Sequence, residues 1–342
     1  MKDLDIREVL SKGFVLILDP TSQNRGAESG ISDPNAFLAE HGGWVEEIAI
    51  VAKSESGQVT YKSAAAPSHP NSVFPDFVEL ANDLGIRVYA VVHSMGDQYF
   101  GQDFQYTTMR SGGNEVRDFV CPSQISYWKY MATVSREIAQ KPVTGILYLE
   151  FMFPRRDFCF CKRCTREFGE LTGIGSDFTL NDLTRDPEYY ARFLEWRSDL
   201  ISAAFEEVFS EARSVRPDIQ LIPVISIDPE TGWNQGTREH FGYDIDKLVA
   251  STPSIAYHLM PFCAIAPEPG SGSWVSLRDA LKARPELEGS YEKSLFVWGL
   301  DQEEDGSWII QLKDETNASR IFGRLSYPES YNVKREIHRG IA

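Results

Sequence analysis

The stretch DFCFCKRC (157–164) sets Cys159, Cys161 and Cys164 within six positions of a 342-residue chain that holds five cysteines. A fourth thiol, Cys121, lies upstream, just before an amphipathic pattern. Four thiolates match the tetrahedral preference of Zn²⁺, an ion that favours sulfur and contributes folding energy directly. An iron–sulfur radical site expects C-x-x-x-C-x-x-C and a dithiol redox site a lone C-x-x-C, and the C-x-C-x-x-C spacing matches neither. The competing reading is a set of inert, buried thiols among Phe158 and Phe160. Lys162, Arg163 and Arg166 weigh against deep burial, and their charge eases a four-thiolate site. With every coordination position filled by protein, such a zinc is structural rather than catalytic.

The elements that must position these residues alternate strand and helix. Apolar runs at 13–20, 44–53, 87–94, 143–153, 219–228, 254–263 and 294–301 read as seven strands, the second with a mixed ending that points into solvent. Helical patterns fall between them, at 75–86 with Gly85 as a stop, at 123–141 capped by Ser123, and within 186–218. ASRIFGRLSY supplies a last helix or strand. No Gly/Ser or Pro-rich linker divides the chain, so the expectation is one (β/α)8 barrel domain over 1–342, its eighth strand the least defined. Active sites of this fold sit at the C-terminal ends of the strands, which here offer Asp19, Lys53, His93, Glu150, Asp228, Cys263 and Asp301. A strand must end somewhere polar, so part of this set only solvates the rim. For Cys263 the expected role is a buried free thiol.

Composition narrows the function further. The formal net charge of −16 repels phosphodiester backbones, and no basic stripe interrupts it, which argues against nucleic acid. The N-terminal stretch lacks the basic and apolar regions of a signal peptide, and no run reaches membrane-spanning length. An odd, bunched set of cysteines does not resemble a disulfide framework, so a cytoplasmic location without membrane partners is expected. G-x-G-x-x-G, H-E-x-x-H and G-x-S-x-G do not occur, which removes the simplest dinucleotide, metalloprotease and serine hydrolase assignments.

The segment VCPSQISYWKYMATVSREI, continued by GILYLEFMFPRRDFCFCKRCTREFGELTG, resembles the zinc-containing β-galactosidases of glycoside hydrolase family forty-two and related clan A barrels. The similarity covers roughly 119–220, with a looser match at LGIRVYAVVHS. In that family the cysteine loop after the fourth strand holds a structural zinc, and the acid/base glutamate ends that strand just upstream. The resemblance therefore implies Glu150 as acid/base, nine residues before Cys159. Leu149 stands where the clan carries an asparagine that contacts the sugar. Barrels of this type often work as homo-oligomers, and the resemblance extends that expectation here.

Glycoside hydrolysis uses two carboxyl groups, and Glu150 needs a partner. The Asp-Gln step in SLFVWGLDQEEDGSW resembles the Glu-Gln that carries the family's nucleophile, which makes Asp301 the leading second carboxylate and Glu303 the alternative. The shorter Asp leaves retention and inversion both open. A solvated acidic loop is the bland reading of DQEED, and a rim salt bridge with Arg155 or Arg156 that of Glu150. Asp19 and His93 are expected to meet sugar hydroxyls, and Tyr257 and Trp298 to stack on sugar rings, with Trp233 and Trp308 contributing from loops. Two alternatives stand beside hydrolysis of a carbohydrate: a barrel that binds sugar without cleaving it, and a lyase or isomerase using Glu150 and His93 for proton transfer.

Overall fold

The computed structural model describes residues 13–21, 34–103, 105–226, 237–258, 291–301 and 307–326. Asp228, Trp233, Cys263 and Glu303 lie outside the described residues, and of Trp298, Asp301 and Trp308 only the backbone is described. The strands are β1 (Phe14–Leu18), β2 (Glu47–Lys53), β3 (Arg87–His93), β4 (Thr107–Met109), β5 (Glu115–Val120), β6 (Gly145–Leu149), β7 (Gln220–Ser226), β8 (Ser254–His258), β9 (Glu292–Asp301) and β10 (Arg320–Ser326). Eight of them close into a parallel barrel in the order β1-β10-β9-β8-β7-β6-β3-β2. ASRIFGRLSY thus resolves as the strand β10, which pairs with β1 at Phe14↔Ile321 and with β9 at Ser294↔Arg320.

Strands of a parallel barrel are covered on both faces, so they read as continuous apolar runs instead of alternating ones. Their side chains still alternate. Val15, Ile17, Ala49, Val51, Tyr89, Val91, Leu147, Leu149, Ile222, Val224, Ala256, Phe296 and Phe322 fill the inside. The intervening residues, Leu16, Ile50, Ala90, Val92, Tyr148 and their like, join the layer between strands and helices. Each fully buried side chain of this size contributes about 1.5–3 kcal/mol.

The helices are α1 (Pro34–His41), α2 (Phe74–Asp83), α3 (Gln98–Gly101), α4 (Ile125–Ala139), α5 (Lys162–Thr172), α6 (Leu180–Arg185), α7 (Pro187–Val215), α8 (Ile245–Ser251) and α9 (Ser307–Thr316). In α2 the residues Phe74, Phe77, Val78 and Ala81 form the buried face, and Gly85 at φ 76° turns the chain into β3 as expected. The N-cap of α4 is Gln124, not Ser123, and it makes no side-chain capping bond. The long 186–218 region is α7, capped by Asp186, which accepts from the backbone N–H groups of Glu188 and Tyr189. An antiparallel hairpin, β4–β5, interrupts the βα rhythm between β3 and α4 and delivers Cys121 at its exit. Among the described residues, no helix is long and apolar enough to cross a membrane.

Candidate active site and cysteine cluster

Glu150 leaves β6 in a left-handed backbone conformation, φ 56°, one of two non-glycine residues with positive φ among the described residues. Such a conformation costs about 1–3 kcal/mol and persists only where the surroundings impose it. Its neighbours impose it in opposite directions. Leu149 is packed inside the barrel, whereas Phe151 is stacked between Phe205 of α7 (3.9 Å) and Trp128 of α4 (4.6 Å) in the outer layer. The turn between these anchors carries the carboxylate over the barrel mouth, where Glu150 Oε2 lies 3.4 Å from His93 Nδ1. His93 is 3% exposed and the Glu150 side chain 21%, so the pair joins a buried imidazole to a carboxylate that reaches solvent.

The bed beneath Glu150 is the segment 93–97. Ser94 N–H donates to the Leu149 carbonyl (3.0 Å) and Met95 N–H to the Glu150 carbonyl (3.3 Å). Gly96 leaves room for the carboxylate in this position, because a Cβ there would push Glu150 Oε2 aside. The segment is pinned from below by Lys53, whose ammonium donates to the His93 carbonyl (2.8 Å) and pairs with Asp97 Oδ2 (2.9 Å). Lys53 was expected to emerge into solvent, yet both partners are fully buried. Asp97 also accepts from Phe100 N–H (3.0 Å) and lies 3.1 Å from the Tyr127 hydroxyl, which in turn reaches the Ser94 carbonyl. Burial, then Asp97, and at shorter weight Glu150, push the Tyr127 phenol well up. Burial and then Glu150 do the same to Tyr243. Both phenols therefore stay neutral.

Of the other residues marked in sequence, Asp19 follows β1, and its Oδ1 accepts from Thr21 N–H (3.0 Å) and Thr21 Oγ1 (2.7 Å). Asp301 closes β9 three strands around the barrel from β6, paired through its backbone with Ser326. Trp298 lies within β9 where the pairing with β10 gains an extra residue. Tyr257, expected as a stacking face, points instead into the outer layer with its hydroxyl against that of Tyr291. Parity explains it: Ala256 faces inward, so Tyr257 cannot. The inner-face residues that the sequence reading missed are Ser226 and His258, whose side chains meet at 3.3 Å. A serine and a histidine within apolar runs give no signal of their own, and only the pairing of β7 with β8 brings them together.

Arg156 lies 3.6 Å from Glu239 and Arg155 3.9 Å from Asp157, which assigns both arginines to the loop after Glu150. That loop is held by Arg197 of α7, fully buried, which donates to the carbonyls of Arg155 (2.8 Å), Glu239 (2.6 Å) and His240 (2.9 Å). Its guanidinium lies 4.4 Å from the centre of the Phe153 ring, and burial pulls its pKa down to about 10.

The four cysteines converge. The sulfurs of Cys121, Cys159, Cys161 and Cys164 all lie within 4.8 Å of one another, with Cys121 at 3.7 Å from Cys161 and 3.4 Å from Cys164. A tetrahedral ion with metal–sulfur bonds of about 2.3 Å needs sulfurs about 3.8 Å apart, so the set fits one. Cys121, Cys159 and Cys164 are each 1% exposed, so the neighbouring basic residues do not hold the thiols near water. Hydrogen bonds from Cys121, Cys159 and Cys164 pull the Cys161 thiol far down, whereas Cys159 chiefly pushes Cys121 up and Cys121 chiefly pushes Cys164 up. The hairpin clasps the loop: Met109 N–H donates to Cys159 Sγ (3.4 Å) and Phe160 N–H to the Met109 carbonyl (2.8 Å). Ser123, freed from capping α4, places its hydroxyl 3.4 Å from both Cys121 and Cys164.

No protein-family model and no curated protein matches the sequence. The structure does match solved ones. The glycoside hydrolase domain of PgaB (BpsB) from Bordetella bronchiseptica is similar at a TM-score of 0.68 and 10% identity, over 94% of this chain and 95% of that one. The catalytic domain of a β-amylase from Paenibacillus polymyxa is similar at 0.62 and 11%, over 91% and 92%. A β-galactosidase from Marinomonas ef1 is similar at 0.56 and 10%, over 91% of this chain but 53% of the other. These neighbours are glycoside hydrolases, and what the chain shares with them is the fold. It is a (β/α)8 barrel of the architecture that the resemblance to clan A implied.

Proposed function

We propose that this protein is a glycoside hydrolase in which Glu150 is the general acid/base and Asp301 the second carboxylate. The observation that carries the reading is the left-handed turn at Glu150, which spends conformational energy to hold a mostly buried carboxylate over the barrel mouth beside His93. In the reaction Glu150 protonates the leaving glycosidic oxygen while Asp301 acts from the opposite face of the sugar, either as nucleophile or as the base that activates water. Glu303 is the alternative for the second role. His93, with its ring fixed under the carboxylate, orients Glu150, and the buried Lys53–Asp97 pair fixes His93 through its carbonyl. Asp19, after β1, would contribute a contact to a sugar hydroxyl. Support from outside the site comes from the barrel neighbours, which are named as glycoside hydrolases.

The four cysteines would hold Zn²⁺. All its coordination positions would be filled by sulfur, so the ion would supply folding energy and fix the loop after Glu150, with no part in bond cleavage.

A panel of aryl glycosides tests the activity. The wild-type protein is expected to release aryl alcohol from at least one member and Glu150→Gln to be impaired on the same substrate. A second reading draws on the 3.4 Å contact between His93 and Glu150, a pair also suited to proton transfer in a lyase or isomerase. No hydrolysis across the panel, with solvent deuterium entering a bound sugar, would favour it. Sugar binding without either reaction would favour a carbohydrate-binding barrel.

A further inference from the structure

Ser226 and His258 belong to no part of the chemistry above. They pair with each other across adjacent strands, β7 and β8, in register. Val224 and Ala256, two positions earlier on the same strands, face into the barrel, so the two-residue period continues Ser226 and His258 along the inner face just above the apolar plug. Ser226 is 2% and His258 5% exposed, and the imidazole stands edge-on to Phe296 at 5.3 Å and 86°. The strand order β3-β6-β7-β8 then sets His93, Glu150, Ser226 and His258 on four consecutive strands at one end of the barrel.

From this arrangement we propose that Ser226 and His258 form a subsite that binds a hydroxyl group of the sugar held by Glu150. The inference rests on the glycosidase reading and adds to it a position of specificity. Its chemistry follows from the pair itself. Where His258 carries its proton on Nδ1, Ser226 accepts that bond and turns its own O–H towards the ligand; where Nδ1 is bare, Ser226 donates to it and offers lone pairs instead. A sugar hydroxyl, both donor and acceptor, suits either state, while a carboxylate or phosphate suits only the first. Phe296, buried on the next strand in register with His258, packs against the imidazole edge and fixes the plane of the ring. A site built to bond a hydroxyl discriminates strongly against the analogue that lacks it, because its buried polar groups are then left unsatisfied.

The test is binding, measured by calorimetry in a Glu150→Gln background so that turnover does not interfere. The probes are methyl glycosides of the gluco, galacto, manno and fuco series, followed by the monodeoxy analogues of the one that binds best. Ser226→Ala and His258→Phe are each expected to weaken the parent sugar about 5- to 30-fold. They should leave unchanged the affinity of one monodeoxy analogue, and His258→Asn should recover part of the loss. Thermal melts of each variant identify those that fail to fold, and His258→Asn remains as the conservative replacement. Equal losses across the parent and every deoxy analogue, or no loss in folded variants, would overturn the subsite and leave the glycosidase reading intact. If the Glu150→Gln protein binds none of the sugars, both fall together.

Discussion

Lys53 with Asp97 and the four cysteines are two places where this chain buries ionisable groups beside the strand that carries Glu150, and they neutralise charge in opposite ways. The first cluster contains its own counter-charge. Its ammonium and carboxylate are 2.9 Å apart, and the remaining bonding capacity goes to the His93 carbonyl, Phe100 N–H and the Tyr127 hydroxyl. The second contains four acids and no base, and its thiols shift one another's protonation in opposing directions. One cluster is complete as folded, and the other has the donor set that a cation would complete. Each also holds a loop on one side of Glu150: the ion pair fixes 93–97, on which the carboxylate rests, and the sulfurs fix 157–164, which follows it.

Four changes separate the two clusters, the largest effect first. Chelation, or Cys121→Ser, is expected to cost several kcal/mol, seen as a lowered midpoint in thermal denaturation that added Zn²⁺ restores only in the chelated wild type. A midpoint indifferent to chelator would make the cysteines self-sufficient packing and erase the contrast. Lys53→Met leaves Asp97 buried without its partner and is expected to cost about 3–5 kcal/mol, insensitive to metal. The double variant Lys53→Met/Asp97→Leu should regain part of that loss in denaturant titrations, since neither charge is then left alone. Ser123→Ala is the mildest, with a loss of about 1 kcal/mol and weaker metal retention measured by competition with a chromogenic chelator. A Ser123→Ala protein that retains metal as tightly as wild type would show the serine to be a bystander.

The same contrast explains what could be read from the sequence. The barrel was legible because parallel strands buried on both faces appear as apolar runs, and because Gly85 marks a helix end. The cysteine cluster was legible because three of its four residues bunch along the chain. The Lys53–Asp97 pair was not, since Asp97 comes a whole βα unit later and Lys53 by itself resembles a strand leaving the core. Hairpin β4–β5 escaped for a similar reason: its first strand has three residues, and its second, EVRDFV, is largely exposed and carries no apolar period. Ser226 and His258 were hidden because they come from different strands and meet only through the register of β7 with β8. The position of Glu150 could be expected, but not its left-handed backbone, which no residue type but glycine announces.

Glu150 as the acid that protonates the leaving group is the central claim, and the dependence of rate on the leaving group tests it most directly. In Glu150→Gln, kcat/KM for an unactivated glycoside should fall by about 10²–10⁴, the range that general acid catalysis supplies. The dinitrophenyl glycoside of the same sugar, whose leaving group departs without a proton, should lose far less at the protonation step. An equal loss on both substrates, or no loss on either, would contradict the assignment.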